Sequence, residues 1–413
     1  MFVEKIELNN FRNYNSLNIS LNKGFNVFCG NNGQGKTNIL EAVFFCAVGR
    51  SFRSVKDTDL VFSGSDSFQI GLSIGDDITN DIRITYKNGG NGGSGSGGSS
   101  GNSSSGEKSV RVNGLYLRRL GHLMGNLLSV IFSPEDLEII NEGPSVRRKL
   151  LDIVISQLYP EHYFDLQQYI KTVSQKNALL RDYNSMGSGA RSLLDVYNEQ
   201  LSDAGSRITY RRYIFSRELD TCSSGKNHTI SGGENLSFRY FSNFYNFSER
   251  EAQENPVTET EAEAEIKFKA ETEAETEAGL TPKKIKEGFI ELLDLRKAKE
   301  IERGHSLYGP QYDDLLIYLN GLDLKRFGSQ GQKRTAVLSI KLAETELLSK
   351  HTGRKPVLLL DDVFSELDET RSSMLLRSAS EFQTLITTAN LSELPREVRK
   401  DAKIFFVKSG SIS

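Results

Sequence analysis

Residues Gly30 to Thr37 read GNNGQGKT, and Leu358 to Asp362 read LLLDD. The first segment is a complete G-x-x-x-x-G-K-T phosphate loop. The second is an apolar strand ending in paired carboxylates, and a nucleotide site needs both in one place. More than three hundred residues separate them. The chain must therefore leave one sheet, build something else, and return to that sheet.

The loop itself is unambiguous. Gly30, Gly33 and Gly35 let the backbone of Gly30, Asn31, Asn32, Gly33, Gln34 and Gly35 turn its N–H groups toward phosphate oxygens, while Lys36 reaches the β- and γ-phosphates. Thr37 offers a hydroxyl to Mg²⁺. Phe25 to Gly30 predicts a short buried strand and Asn38 to Ala47 a helix, so strand, loop and helix follow in the order ATP binding requires.

Pro356 precedes the apolar run Val357 to Leu360, which reads as a central parallel strand delivering Asp361 and Asp362 to its C-terminal edge. Asp361 is the expected Mg²⁺ partner. Asp362 is the expected acceptor of the attacking water's proton. A third segment, FGSQGQKR at Phe327 to Arg334, opens a helical pattern running from Arg334 to Leu348. Ser329, Gly331 and Gln332 thus stand at a helix N-terminus with free N–H groups, suited to a γ-phosphate.

These residues resemble the SMC-like, ABC-type head ATPases, and the RecF family within them. The resemblance starts at IELNNFRNYNSL. It continues through GRSFR (Gly49 to Arg53), FSPEDL (Phe132 to Leu137), RRKLLD (Arg147 to Asp152), YIKTVSQKNALLRD (Tyr169 to Asp182), GGENLSFRY (Gly232 to Tyr240), RGHSLYGPQYDDL (Arg303 to Leu315) and DLKRFGSQGQKRTAVLSIKLAE (Asp323 to Glu344). It implies an α/β fold, an ABC-type P-loop ATPase head with an inserted, mainly helical arm.

The resemblance further implies that ATP is sandwiched between two subunits. Lys36, Thr37, Asp361 and Asp362 act in one chain, and Ser329, Gly331 and Gln332 of a second copy close the site. Ser365 to Asp368 resembles the D-loop at that contact. Thr387 and Thr388 fall where such proteins keep a γ-phosphate switch residue, and Thr388 is the candidate for the nucleotide network. The implied activity is weak, DNA-dependent ATP hydrolysis by a homodimer on gapped double-stranded DNA, aiding RecA loading past single-strand-binding protein with RecO and RecR as partners. A structural DNA-bridging ATPase is the alternative. It predicts a long coiled coil, which Pro160, Gly187, Gly189 and Gly205 are expected to interrupt. A kinase would not need SQGQ, and a transporter head would lack the arm.

The net charge of −3 is unusual for a DNA binder. From Glu249 to Ala278, eleven Glu face Arg250, Lys267 and Lys269, a balance of −8, and removing it from −3 leaves the rest of the chain at +5. This stretch reads as a solvated acidic insertion, and Asn88 to Gly106 as a flexible Gly/Ser loop between strands at Asp81 to Tyr86 and Ser109 to Asn113. Cys29, Cys46 and Cys222 have no metal spacing and read as free thiols. No long apolar run or leader-like start is present, so a cytoplasmic protein without a membrane span is expected.

Domain expectations follow: 1–135 for the first lobe of the head, 136–286 for the arm, and 287–413 for the second lobe. The DNA-contact candidates are Arg50, Arg53 and Lys56 after the P-loop helix, Arg147, Arg148 and Lys149 at the arm's base, and Arg211, Arg212 and Arg217 within it. Gln311 and Tyr312 depart from the family's usual His and Arg after Gly309-Pro310.

Overall fold

The structure, a computed structural model, describes residues 1–53, 55–76, 80–89, 106–183, 189–246, 280–365 and 367–412. The acidic stretch and nearly all of the Gly/Ser loop lie outside them. The chain begins with β1 (Phe2–Phe11) and β2 (Tyr14–Ser20), then β3 (Phe25–Cys29) leading into α1 (Lys36–Val48). Next come β4 (Ser67–Gly75), β5 (Asn80–Lys87), β6 (Glu107–Val112), β7 (Leu115–Tyr116) and β8 (Ser129–Phe132). A helical stretch follows: α2 (Glu138–Asn141), α3 (Pro144–Leu158), α4 (Pro160–Arg181) and α5 (Gly189–Ser231), then β9 (Leu236–Phe241), α6 (Pro282–Leu295) and α7 (Lys297–Arg303). The last part holds β10 (Asp314–Leu319), β11 (Leu322–Asp323), α8 (Leu324–Phe327), α9 (Gln330–Thr352), β12 (Val357–Asp361), α10 (Glu369–Ala379), β13 (Thr384–Thr388), α11 (Arg396–Asp401), β14 (Lys403–Lys408) and β15 (Ser411–Ile412).

The central sheet runs β15-β14-β3-β13-β12-β8, parallel from β14 to β8. Its strands come from four distant parts of the chain, as the separated motifs demand. Alternation along each strand divides the apolar core in two. Val357 and Leu359 face α1 and the antiparallel sheet β2-β1-β4-β5-β6-β7, while Leu358 and Leu360 face α3, α5, α9 and α10. Helix α1 is consequently wrapped by sheets, and Ile39 through Val48 are all buried. Buried in that way, each large apolar side chain contributes about 1.5–3 kcal/mol, which holds the P-loop helix rigidly.

The helical region has its own small core, in which Tyr169, Leu201, Ile208, Phe289 and Leu293 join α4, α5 and α6. One expectation is corrected here. Gly205 does not interrupt anything: α5 runs 43 residues through it. A Cβ at Gly205 would lie 2.9 Å from Phe289 and 3.2 Å from Tyr169, so glycine serves the close approach of neighbouring helices. Residue 286 lies within α6, which continues to Leu295, and α7, reaching Arg303, packs against α4. The region is mainly helical, with one strand, β9, which pairs with β10 from Asp314↔Phe241 to Leu319↔Leu236.

Buried charge ties this region to the head. Arg147 grips Asp314 with Nε at 2.7 Å and Nη2 at 2.9 Å and donates to the Ile139 and Glu142 carbonyls. Arg212 does the same to Asp152 and also reaches the Pro310 carbonyl. Burial alone would raise Asp152, but Arg212 and His162 hold it well below the usual carboxylate range. Asp313, fully buried, accepts from Thr209 and Tyr240. Both aspartates of the GPQYDD segment are therefore structural. Removing one partner of a buried pair strands the other, so Arg147→Ala should lower the urea unfolding free energy by about 3 kcal/mol, while Arg326→Ala, at an exposed pair, changes it by less than about 1 kcal/mol.

Candidate functional site

The site forms where β3, β12 and β13 end together. Gly35 caps α1 in a left-handed conformation, φ 107°, and no side chain takes the first-turn N–H groups of that helix. The contrast with α9 and α10, capped by Ser329 and Asp368, is informative: the P-loop helix keeps its positive end for a ligand. Lys36 is buried and donates to the carbonyls of Gly30 at 2.5 Å and Asn31 at 3.1 Å, curling over its own loop.

Residues from both ends of the chain hold the loop's shape. Asn13 Nδ2 donates to the Gln34 carbonyl at 2.8 Å and Asn13 Oδ1 accepts from Asn38 at 2.9 Å. The turn after β14 closes over the other side, with Ser409 N–H donating to Gln34 Oε1 at 2.6 Å. A Cβ at Gly35 would meet Asn13 at 2.4 Å, and one at Gly30 the Val407 carbonyl oxygen at 2.3 Å. Gly30 is thus required by packing against backbone, and Gly35 chiefly by its left-handed φ of 107°. Below, Glu41 is fully buried in α1 and accepts from Arg12 Nε and Nη2 and from Ser51.

Asp361 Oδ1 accepts from Thr37 Oγ1 and from Thr387 Oγ1, each at 2.7 Å. Burial raises the Asp361 carboxyl above its ordinary value against the opposing effect of the two hydroxyls. Among the described residues no cluster of three or more His, Cys, Asp or Glu forms a metal cage. A hydroxyl and one carboxylate meeting in this way fit Mg²⁺, which keeps water and takes phosphate oxygens to complete its shell. Thr37 and Asp361 would hold it, neutralising phosphate charge there.

Asp362 sits next, at φ 53°, and its N–H donates to Thr387 Oγ1 at 2.9 Å. The left-handed backbone turns this residue out of the strand's alternation, which sequence pattern alone does not reveal. Thr387, rather than Thr388, belongs to the network. Thr388 donates to Glu393 Oε2 at 2.7 Å, on the other face, so the expectation for it is corrected. Strand periodicity could have separated these neighbours.

Ser329 is exposed and caps α9, accepting from Gln332 N–H at 3.2 Å. Gln332 was expected among the nucleotide contacts. Its Oε1 accepts from Ser329 N–H at 2.8 Å and its Nε2 donates to Glu234 at 2.6 Å, so its side chain buttresses the turn instead. Arg371 donates to the Gly331 carbonyl at 3.2 Å and to Thr335 at 2.8 Å, joining α10 to the same turn. None of these hydrogen bonds reaches the P-loop of the same chain.

The basic candidates divide sharply. Arg147 and Arg212 are buried in ion pairs and cannot reach a phosphate, a correction that burial and paired carboxylates explain. Arg211 is engaged by Asp165 at 2.6 Å. Arg148 and Lys149 donate to the carbonyls of Asp313 and Phe52. Arg50, Arg53 and Lys56 are exposed, although Arg53 also donates to Asn38 at 3.1 Å. Gln311 accepts from Tyr169 at 2.5 Å and Tyr312 donates to the Ser306 carbonyl, so both departures serve internal packing. The three cysteines are free, Cys29 and Cys46 being buried. No helix among the described residues is long and apolar enough to cross a membrane.

A P-loop, a carboxylate strand beside it and a capped glycine turn on a neighbouring helix define an ABC-type ATPase head. Comparison with known proteins makes this specific. The model of the RecF/RecN/SMC N-terminal domain matches residues 2–413. The DNA replication and repair protein RecF of Acetivibrio thermocellus is 39% identical over 94% of this chain and 93% of its own length. That of Clostridium novyi is 36% identical over the full length of both. A solved RecF–ATP structure from the RecFOR pathway covers 100% of this chain and 97% of its own, at 33% identity and a TM-score of 0.81. The chain belongs to the RecF family.

Asp361 supplies a direct test. Its folded value is raised, so the ionised form costs stability above the unfolded value and the cost disappears as pH falls below it. Asp361→Asn should therefore raise the unfolding midpoint of the nucleotide-free protein at neutral pH, and the gain should vanish in the acid range. The same variant should lose ATP turnover by about a hundredfold, read as phosphate release.

Proposed function

We propose that this protein is an ATP-driven DNA-binding switch of replication and recombinational repair, which uses Mg²⁺-dependent ATP hydrolysis to leave DNA. One observation carries the reading: Ser329 is exposed and Gly331 half-buried in a turn whose hydrogen bonds do not reach the P-loop of the same chain, while the P-loop helix has no side-chain cap hydrogen bond. Each surface supplies what the other lacks, and a second copy brings them together. ATP would then be shared by Lys36 and Thr37 of one chain and by Ser329 and Gly331 of its partner.

In this reading Asp362 takes the proton of the attacking water, and its outturned backbone supports that role. Arg50, Arg53 and Lys56 offer a basic surface for DNA phosphates just beyond the helix that holds the nucleotide. The relatives' name and the RecFOR setting of the solved neighbour support a role in DNA replication and repair with RecO and RecR as partners; within that role we propose action on gapped double-stranded DNA, aiding RecA on strands coated by single-strand-binding protein. A cytoplasmic location accords with it.

The bridging alternative draws on one observation, the unbroken 43 residues of α5. Its neighbour α4 spans 22 residues, and α6 and α7 pack beside them, which makes a compact bundle rather than an extended two-stranded rod. The switch reading is favoured.

Sedimentation with ATP and gapped duplex tests it. Ser329→Arg should leave ATP binding near wild type and lower ATP-dependent dimer formation by at least about tenfold, since a bulky cation fills the contact. Asp362→Asn should bind nucleotide, hydrolyse it slowly and accumulate the dimer. Normal dimerisation of Ser329→Arg would refute the shared site.

A further inference from the structure

Helix α5 ends at Ser231, and the chain turns through Gly232 and Gly233, at φ 77° and 129°, to bring Glu234 beside the turn that opens α9. The Glu234 carboxylate accepts from Gln332 Nε2 at 2.6 Å. We propose that Glu234, a residue of the inserted region, is a positioning residue of the shared ATP site: by fixing the side-chain amide of Gln332 it holds Ser329 in the form that donates to a second copy's nucleotide. This role rests on the two-subunit site proposed above.

The carboxylate is anchored before it reaches the turn. Glu234 N–H donates to Ser231 Oγ at 2.9 Å, and the Glu234 carbonyl accepts from Asn227 Nδ2 at 3.1 Å. Asn227 is buried where α5 packs on α9, and its Oδ1 accepts from Ser339 Oγ at 3.5 Å. On the other side, Asn235 N–H donates to Asn320 Oδ1 and the Asn235 carbonyl accepts from Asn320 N–H, each at 2.8 Å. Glu234 is thus tied to the body of α9 and to the turn between β10 and β11.

A carboxylate only accepts, whereas an amide has one donor end and one acceptor end. Glu234 therefore takes the NH₂ of Gln332 and leaves Oε1 for Ser329 N–H, 2.8 Å away. The reversed amide would set NH₂ against that N–H and oxygen against the carboxylate. With the capping box fixed in this sense, Ser329 Oγ accepts from Gln332 N–H at 3.2 Å, and the hydroxyl's own hydrogen remains to donate outward from an exposed residue. Arg371 braces the same turn through the Gly331 carbonyl and the Thr335 hydroxyl, neither of which orients the amide. Among the described residues, Glu234 provides the only side-chain hydrogen bond to it.

Sedimentation and steady-state turnover with ATP and gapped duplex are compared for Glu234→Ala, Glu234→Gln, Gln332→Ala and the double alanine variant, with Ser329→Arg beside them. Glu234→Ala should stay folded and, as dilute monomer, bind ATP at the P-loop with wild-type affinity. Its kcat and its ATP-dependent dimer formation should each fall by about tenfold, as expected for one lost hydrogen bond to a charged group. Glu234→Gln keeps an acceptor for Gln332 Nε2 and should restore most of both. Adding Glu234→Ala to Gln332→Ala should change neither further, because the amide it acts on is gone. If Ser329→Arg loses the dimer while Glu234→Ala keeps wild-type dimer and turnover, the positioning role is overturned and the shared site stands. If both variants dimerise normally, the shared site falls and the positioning role falls with it. The role is also overturned if Glu234→Ala fails to fold or loses ATP affinity as much as turnover, if Glu234→Gln is no better than Glu234→Ala, or if the two alanine changes add in full.

Discussion

One carboxylate oxygen organises this molecule. Asp361 Oδ1 accepts from Thr37 at the start of the P-loop helix, 324 residues away, and from Thr387 on the adjacent strand, 26 residues away, each at 2.7 Å, and so ties the two ends of the head together. The hydroxyls can converge there only if β3, β13 and β12 are parallel neighbours in that order, because each strand must present its C-terminal end to the same point. A desolvated carboxylate is costly to keep, and the structure keeps it where a metal and phosphates would use it. The order of the sheet, the buried α1 and the excursion between the two halves follow from that requirement.

The excursion is rigidly attached at its base. Arg147 with Asp314 and Arg212 with Asp152 are side-chain pairs buried against the sheet's second core, and β9 pairs with β10 just before the segment that leads to Ser329. The glycine turn is in turn braced by Glu234 through Gln332 and by Arg371. Residues of the helical region and of α10 therefore set the position of the Ser329 turn. In the proposed dimer the inserted region would thus shape the ATP site without any of its atoms lying at the phosphates.

Motifs with fixed spacing were legible from sequence because their chemistry is local: GNNGQGKT dictates its own loop, and Val357 to Leu360 can only be a buried strand. What escaped was set by contacts between distant segments. Asn13 carries no motif chemistry, yet Gly35 must be glycine partly because Asn13 lies against it. Gly205 looked like a helix breaker, and only the neighbouring Tyr169 and Phe289 show why it is tolerated. Basic residues misled most, since charge in a sequence does not tell whether a carboxylate waits for it. Arg147 and Arg212 look no different from Arg50 until burial is known.

Helix α1 then acquires a second meaning. Its N-terminal N–H groups are left open at the P-loop, its middle is fixed by the buried Glu41 to Arg12 and Ser51, and its C-terminal end meets a cavity lined by Arg50. A helix enclosed on every side by apolar packing moves as a unit or not at all, because its neighbours leave little space into which part of it could shift. Any displacement that a phosphate imposes at Lys36 must therefore arrive at Gly49 and Arg50, about 20 Å away at 1.5 Å per residue. Nucleotide at one end and any contact made at Arg50 at the other would act on a single rigid body, and their coupling, if measured, must be equal in both directions.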